Sequence, residues 1–110
     1  MIFVTGPLYA GKKTWTREQL GLTEAELADC AVWDVQNLVT ADNLEALADE
    51  LAGRRVVIAT EIGGGVVPVD PTERERREAA GRLSCLLAER ADTVVRVCCG
   101  LPQLLKGEWP

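Results

Sequence analysis

The chain has 110 residues, 12 basic against 17 acidic side chains, a net charge of −5 and no histidine. The acidity argues against nucleic acid as the main partner, and Arg74, Arg76 and Arg77 alternate with Glu73, Glu75 and Glu78, so they form no clean basic stripe. Without histidine there is no Ser-His-Asp or Cys-His catalysis and no phospho- or nucleotidyl-histidine intermediate, so any chemistry falls to carboxylates, Lys, Arg, hydroxyls, a metal or the backbone. A hydrophobic content of 47% supports a small core in one domain, 1–110. Cys30, Cys85, Cys98 and Cys99 match no zinc spacing and read as buried free thiols, which fits a reducing, cytoplasmic setting. No charged leader or long apolar stretch opens the chain, so neither a signal peptide nor a membrane span is expected.

In chain order, Ile2–Thr5 is a β-rich apolar run that reads as a buried strand. Gly6-Pro7-Leu8-Tyr9-Ala10-Gly11-Lys12-Lys13-Thr14 follows, and then a helical stretch, Lys12–Leu20. Thr23 and Glu26 predict a capping box for a short helical turn at Glu24–Ala28. A second apolar run covers Ala31–Val35. Leu44, Leu47, Ala48 and Leu51 make a helical stripe within Ala41–Leu51, which stops at Gly53. Val56–Thr60 is the third run. Ile62–Pro71, with three glycines, reads as a shaped loop. Pro71 opens the longest helix, to about Arg90, with Ala79, Ala80, Leu83, Leu86 and Leu87 inward. Thr93–Cys98 is the fourth run. Nearly continuous hydrophobicity marks parallel strands covered on both faces. Strands alternating with helices predict an α/β fold of the small P-loop (RecA-like) three-layer kind, with a mainly parallel sheet of about four strands.

Ligands in such sheets sit at the carboxyl ends of strands, where the polar residues gather. Gly6 through Lys12 has the G-x-x-x-x-G-K spacing of a phosphate-binding loop between strand and helix. The glycines let backbone N–H groups turn toward an anion, the helix start adds a positive dipole end, and Lys12 would reach the β/γ-phosphates. The next position should carry a hydroxyl for Mg²⁺ and carries Lys13; Thr14 stands one place late. A plain strand–turn–helix with chance glycines is the competing reading. Asp34 sits where a metal-holding acid belongs, or is an ordinary turn cap. Glu61 could accept a hydroxyl proton or hold a metal or ribose, or is a surface Glu before a loop. Trp15, Trp33 and Trp109 read as packing residues.

Thr60-Glu61-Ile62-Gly63-Gly64-Gly65-Val66-Val67-Pro68 resembles the N-E-V-G-x-G-I-V-P segment of the adenosylcobinamide kinase/adenosylcobinamide-phosphate guanylyltransferase family. Arg77-Glu78-Ala79-Ala80-Gly81-Arg82-Leu83-Ser84 resembles that family's R-D-x-x-G-R-L-N helix. Ala91-Asp92-Thr93-Val94 through Gly100-Leu101-Pro102 to Leu105-Lys106 resembles its A-D-x-V…G-x-P…L-K close, and the opening V-T-G-x-x-x-x-G-K agrees. The resemblance implies nucleotide binding by Gly6, Pro7, Leu8, Tyr9, Ala10, Gly11, Lys12, Lys13 and Thr14. It implies catalytic roles for Lys12, Asp34 and Glu61, with Thr14 and Asp34 supporting Mg²⁺. Gly63, Gly65, Arg77 and Arg82 would fall on the acceptor side. The cofactor would be GTP or ATP with Mg²⁺, the partners a nucleotide and a corrinoid, and the assembly a homo-oligomer.

The departures are specific. Compared with such enzymes, the chain lacks material between the Lys12 helix and the Asp34 run, the region that holds the family's guanylyl-accepting histidine. Lys13, Thr60 and Ser84 replace a Ser/Thr, an Asn and an Asn. The expectation is a nucleotide-binding family member that retains phosphoryl transfer to adenosylcobinamide but not histidine-dependent GMP transfer. Two alternatives stand beside it: an inactive member acting in binding, regulation or scaffolding, and a remnant that folds only as an oligomer.

Overall fold

A computed structural model describes residues 1–62 and 69–110. Its elements in chain order are β1 (Ile2–Gly6), α1 (Lys12–Leu20), α2 (Glu24–Cys30), β2 (Ala31–Val32), a 3-10 turn (Val35–Asn37), α3 (Leu44–Ala52), β3 (Val56–Thr60), α4 (Pro71–Arg90), β4 (Thr93–Cys98) and β5 (Leu101–Lys106). The strands form a single sheet in the order β2-β3-β1-β4-β5. β1 lies between β3 and β4 and runs parallel to both, with Gly6 opposite Thr60 and Thr5 opposite Arg96. The sheet has five strands where about four were expected. The additional strand, β5, is antiparallel to β4 and follows a two-residue turn in which Cys99 and Gly100 take φ 54° and 74°. Positive φ at both positions matches the twist of a tight hairpin.

The sheet is covered on both faces, which accounts for its continuous apolar runs. All five residues of β3 are buried. On one face Val4, Ile58, Val95 and Val97 pack with Leu27 of α2, joined by half-buried Trp15 and Leu20 of α1. On the other, Phe3, Val57 and Val94 pack with Ala48 and Leu51 of α3 and with Ala79, Leu83 and Leu87 of α4. Successive strand residues thus serve opposite layers, giving the three-layer α/β architecture expected. Trp15 and Trp33 pack against the first cluster, and Trp109 meets Trp15 at 6.3 Å between ring centroids.

Local chemistry sets the element ends. The Thr23/Glu26 capping box is present, and α2 runs on to Cys30, two residues beyond the expected turn. α3 starts at Leu44, not Ala41, because Thr40 and Asn43 bond reciprocally, Thr40 N to Asn43 Oδ1 at 2.6 Å and Asn43 N to Thr40 Oγ1 at 3.2 Å. That staple commits the intervening backbone to a turn. The run Ala31–Val35 yields only a two-residue strand, because Asp34 adopts a left-handed conformation (φ 56°) and turns the chain into the 3-10 segment. Asp tolerates that region better than most residues. The cysteines are free but not buried: Cys30 and Cys98 are half-buried, Cys85 and Cys99 exposed. Cys99 occupies the hairpin turn, and Cys85 lies on the open side of α4.

Candidate functional site

Two clefts open at the carboxyl end of the sheet. The first, about 280 Å³, is lined by Leu8, Tyr9, Ala10, Gly11, Lys12, Lys13, Thr14, Asp34, Ile58 and Thr60. Its frame is backbone. Gly6 leaves β1 at φ 152° so close to β4 that an added Cβ would meet the Val97 carbonyl oxygen at 2.1 Å. The Gly6 carbonyl accepts a bond from Glu61 N at 2.8 Å, tying the loop entry to the end of β3. Gly11 takes φ 86° and ψ 25° as the N-cap of α1, with no side chain capping the first turn. The first-turn N–H groups therefore face the cleft with no competing acceptor from a cap. The Ala10 carbonyl accepts from Gly100 N at 2.8 Å, so the β4–β5 hairpin supports the loop from behind.

Lys12 is only 8% exposed, and its Nζ donates to the Pro7 carbonyl at 2.6 Å. Burial pushes its pKa below the ordinary lysine value; the carboxylates of Asp34 and Glu61 pull it back up, and Lys13 pushes it down again. A buried ammonium with one carbonyl partner has donors to spare for an anion. Thr16 cannot assist, because its buried hydroxyl donates to the Lys12 carbonyl at 2.8 Å. Thr14 and Asp34 are both exposed within the cleft, and the Asp34 carboxylate caps no backbone. A hydroxyl and a carboxylate lining one cleft are hard-oxygen donors of the kind Mg²⁺ takes, so these residues fit the metal. Among the described residues no three His, Cys, Asp or Glu side chains converge as a metal cluster. Lys13, also on the lining, places its Nζ 4.3 Å from the ring centroid of Trp33, a cation–π contact.

Glu61 stands at the junction with the second cleft. Arg96 grips it bidentately, Nε to Oε1 at 2.7 Å and Nη2 to Oε2 at 3.0 Å. Glu61 follows β3 and Arg96 lies on β4, so the pair bridges across β1 beside the loop entry. Glu61 holds the Arg96 pKa above its ordinary value. The second cleft, about 330 Å³, lies on the α4 face and shares Thr60 with the first. Small residues at Ala80, Gly81, Ser84, Cys85 and Ala88, along one side of α4, leave this space open.

The structure gathers Leu8 through Thr14 and Asp34 around one cleft, with Gly6 at its entry and Glu61 at its edge. Pro7 contributes its carbonyl to Lys12. Asp34 stands two residues past a strand end, not on one. Arg82 lies elsewhere: it pairs with Glu78 one turn back on α4 and lines a shallow groove with Ala41 and Leu44. Arg77 is half-buried on α4. Gly63 and Gly65 lie outside the described residues. Two residues of the site were missed in the sequence. Arg96 was signalled by being the lone charge in an apolar strand. Gln36, whose side-chain oxygen accepts from Thr60 N at 3.0 Å and finishes the end of β3, carries no such mark.

A mainly parallel sheet between two helix layers, with a glycine-bounded strand-to-helix turn at its carboxyl end, makes this a small three-layer α/β protein, a frame consistent with a P-loop fold. Residues 20–105 match the family described as cobinamide kinase / cobinamide phosphate guanyltransferase. The chain is also 37% identical over 92 residues to the bifunctional adenosylcobalamin biosynthesis protein CobP of Pseudomonas aeruginosa, covering 74% of this chain and 53% of that protein. The chain belongs to this family, and it spans about half the length of the relative it matches. The family match begins at Leu20, so the glycine loop and Lys12 stand on their geometry. Among the described residues no helix is long and apolar enough to cross a membrane.

Proposed function

We propose that this chain binds GTP or ATP with Mg²⁺ in the Gly6–Thr14 cleft and supplies the kinase half of its family's chemistry. The observation that carries this reading is Lys12, a buried ammonium aimed into a loop whose N–H groups are uncapped. Lys12 and the first-turn N–H groups would hold the β/γ-phosphates; Thr14 and Asp34 would hold the metal. When bound, Mg²⁺ neutralises charge on the phosphates. The cleft volume, about 280 Å³, falls just below the range of ligand pockets, roughly 300–1,000 Å³, and suits the phosphates more than a whole nucleotide.

Transfer to an alcohol forms a bond from the alcohol oxygen to the γ-phosphorus and breaks the bond to the β–γ bridging oxygen. The nucleoside diphosphate leaves and the alcohol proton is released. Glu61 would take that proton, since each oxygen held by Arg96 keeps a further lone pair. Such catalysis is mostly positioning and charge neutralisation. Adenosylcobinamide is the acceptor that family membership supports, and the absence of histidine leaves no histidyl route to GMP transfer in this chain. Lys13, where the loop expects a hydroxyl, favours a second reading: nucleotide binding in a regulatory or scaffolding role without transfer. Exposed Leu101 and Leu105 on the edge strand β5 support assembly with further copies, and four free thiols suit the cytosol.

The test is calorimetric titration of Mg²⁺-GTP and Mg²⁺-ATP, with Lys12→Met as control, followed by a kinase assay on cobinamide. Micromolar binding lost in the variant upholds the site, and phosphate ester formation upholds transfer. No binding at millimolar nucleotide would refute both readings of the cleft.

A further inference from the structure

We infer that the α4-side cleft receives the hydroxyl-bearing side arm of the acceptor, leaving the acceptor's main body outside. The inference rests on the reading of the phosphate cleft above and deepens it. Three observations support it. First, the volume, about 330 Å³, admits a short arm and excludes a large macrocycle. Second, the lining is apolar at Phe3 and Val94, with hydroxyls at Thr5, Thr60 and Ser84. Among the described residues its one carboxylate, Glu61, is already matched by Arg96. An uncharged arm ending in an alcohol suits those walls, because a charged group would lose its water without gaining a free counter-ion. Third, Thr60 belongs to both linings, so the two clefts adjoin at the end of β3.

Gly81 makes the cleft testable. A Cβ built there meets nothing within 4 Å, so a larger side chain has room to enter the cleft. A helix interior also favours leucine over glycine. Gly81→Leu therefore folds while filling the space, and Gly81→Ala controls for the backbone change. The probes are cobinamide, followed by its own absorbance in equilibrium dialysis, and Mg²⁺-GTP in calorimetry. The expected result is a loss of cobinamide affinity of tenfold or more in Gly81→Leu, with unchanged Mg²⁺-GTP affinity, an equal or higher melting temperature, and normal binding in Gly81→Ala. A direct readout comes from the thiols. Cys85 lines this cleft, and Cys99, in the hairpin turn, does not; both are exposed. Cobinamide should slow maleimide labelling of Cys85 at least fivefold and leave Cys99 unchanged.

Equal cobinamide binding by Gly81→Leu and the unaltered chain, or equal labelling of Cys85 with and without cobinamide, overturns the inference. So does a chain that binds Mg²⁺-GTP but not cobinamide. A chain that binds cobinamide in this cleft but no nucleotide keeps the cleft assignment and refutes the phosphate reading. Should Gly81→Leu melt early, Cys85→Leu fills the same space and the dialysis outcomes apply to it.

Discussion

The clefts on the two faces of the sheet are walled by opposite means. The Lys12 cleft is made of backbone: two glycines at positive φ, an uncapped helix start, and main-chain bonds from Glu61 and Gly100. The α4 cleft is made of missing side-chain bulk, a helix side carrying Ala, Gly and Ser opposite Phe3 and Val94. Backbone walls tolerate almost no substitution at the residues that shape them, but their lining side chains can change without altering their form. Side-chain walls invert that rule: almost any lining residue can be replaced, and each replacement changes what fits. A nucleotide's phosphates are the same in every nucleotide, whereas an acceptor arm has a particular shape, so each means of construction suits its proposed ligand.

Four substitutions probe this contrast, beginning with the largest effect. Gly6→Ala should cost at least about 3 kcal/mol in denaturant unfolding, since it meets both an unfavourable φ and the Val97 carbonyl. A cost under about 1 kcal/mol would mean that the backbone wall yields. Leu87→Ala removes a fully buried contact beneath α4 and should cost about 2–5 kcal/mol while leaving Mg²⁺-GTP affinity, once folded, nearly intact. A parallel loss of nucleotide affinity would show that the two faces are coupled.

Lys12→Met should lower Mg²⁺-GTP affinity about 100-fold, roughly 2.7 kcal/mol, and leave the unliganded melting temperature equal or higher. The direction follows from linkage. Burial depresses the folded-state pKa of Lys12, so between that value and the unfolded value the unfolded chain binds more protons, and stability rises with pH through that window. Below the folded-state value the cost of the buried charge is fully present, and the variant should flatten that rise. Arg96→Ala should leave the melting temperature nearly unchanged, because the ion pair is half-exposed and screened. Its larger consequence should be a fall in kcat for phosphoryl transfer with KM for nucleotide unchanged. A rise in that KM instead would move Arg96 from positioning Glu61 to binding phosphate.

The sequence discloses those parts of this molecule that depend on neighbours in the chain. Continuous apolar runs expose β1, β3 and β4 because strands covered on both faces need no polar side. Pro71 and the Thr23/Glu26 pair mark helix starts because caps act within one turn. β5 stays hidden: Pro102 demotes the strand, and five of its six residues are exposed. The left-handed turn at Asp34 leaves no mark, because Asp is at home in ordinary turns as well. The Glu61–Arg96 pair depends on β1 lying between β3 and β4, a fact of strand order that no local pattern encodes. The cysteines mislead for a related reason, since apolar neighbours along the chain do not bury a residue sitting in a hairpin turn.

The bond from Gly100 N to the Ala10 carbonyl bears on folding. The loop nearest the start of the chain is completed by the turn that joins the last two strands, with Val97 of β4 pressed against Gly6. Closing a contact across some 90 residues carries a loop-closure entropy that local contacts do not. The loop is therefore complete only once that hairpin has docked. A nucleotide that binds the cradle would reward only chains whose final hairpin has docked, and so would act as a late checkpoint on the whole sheet.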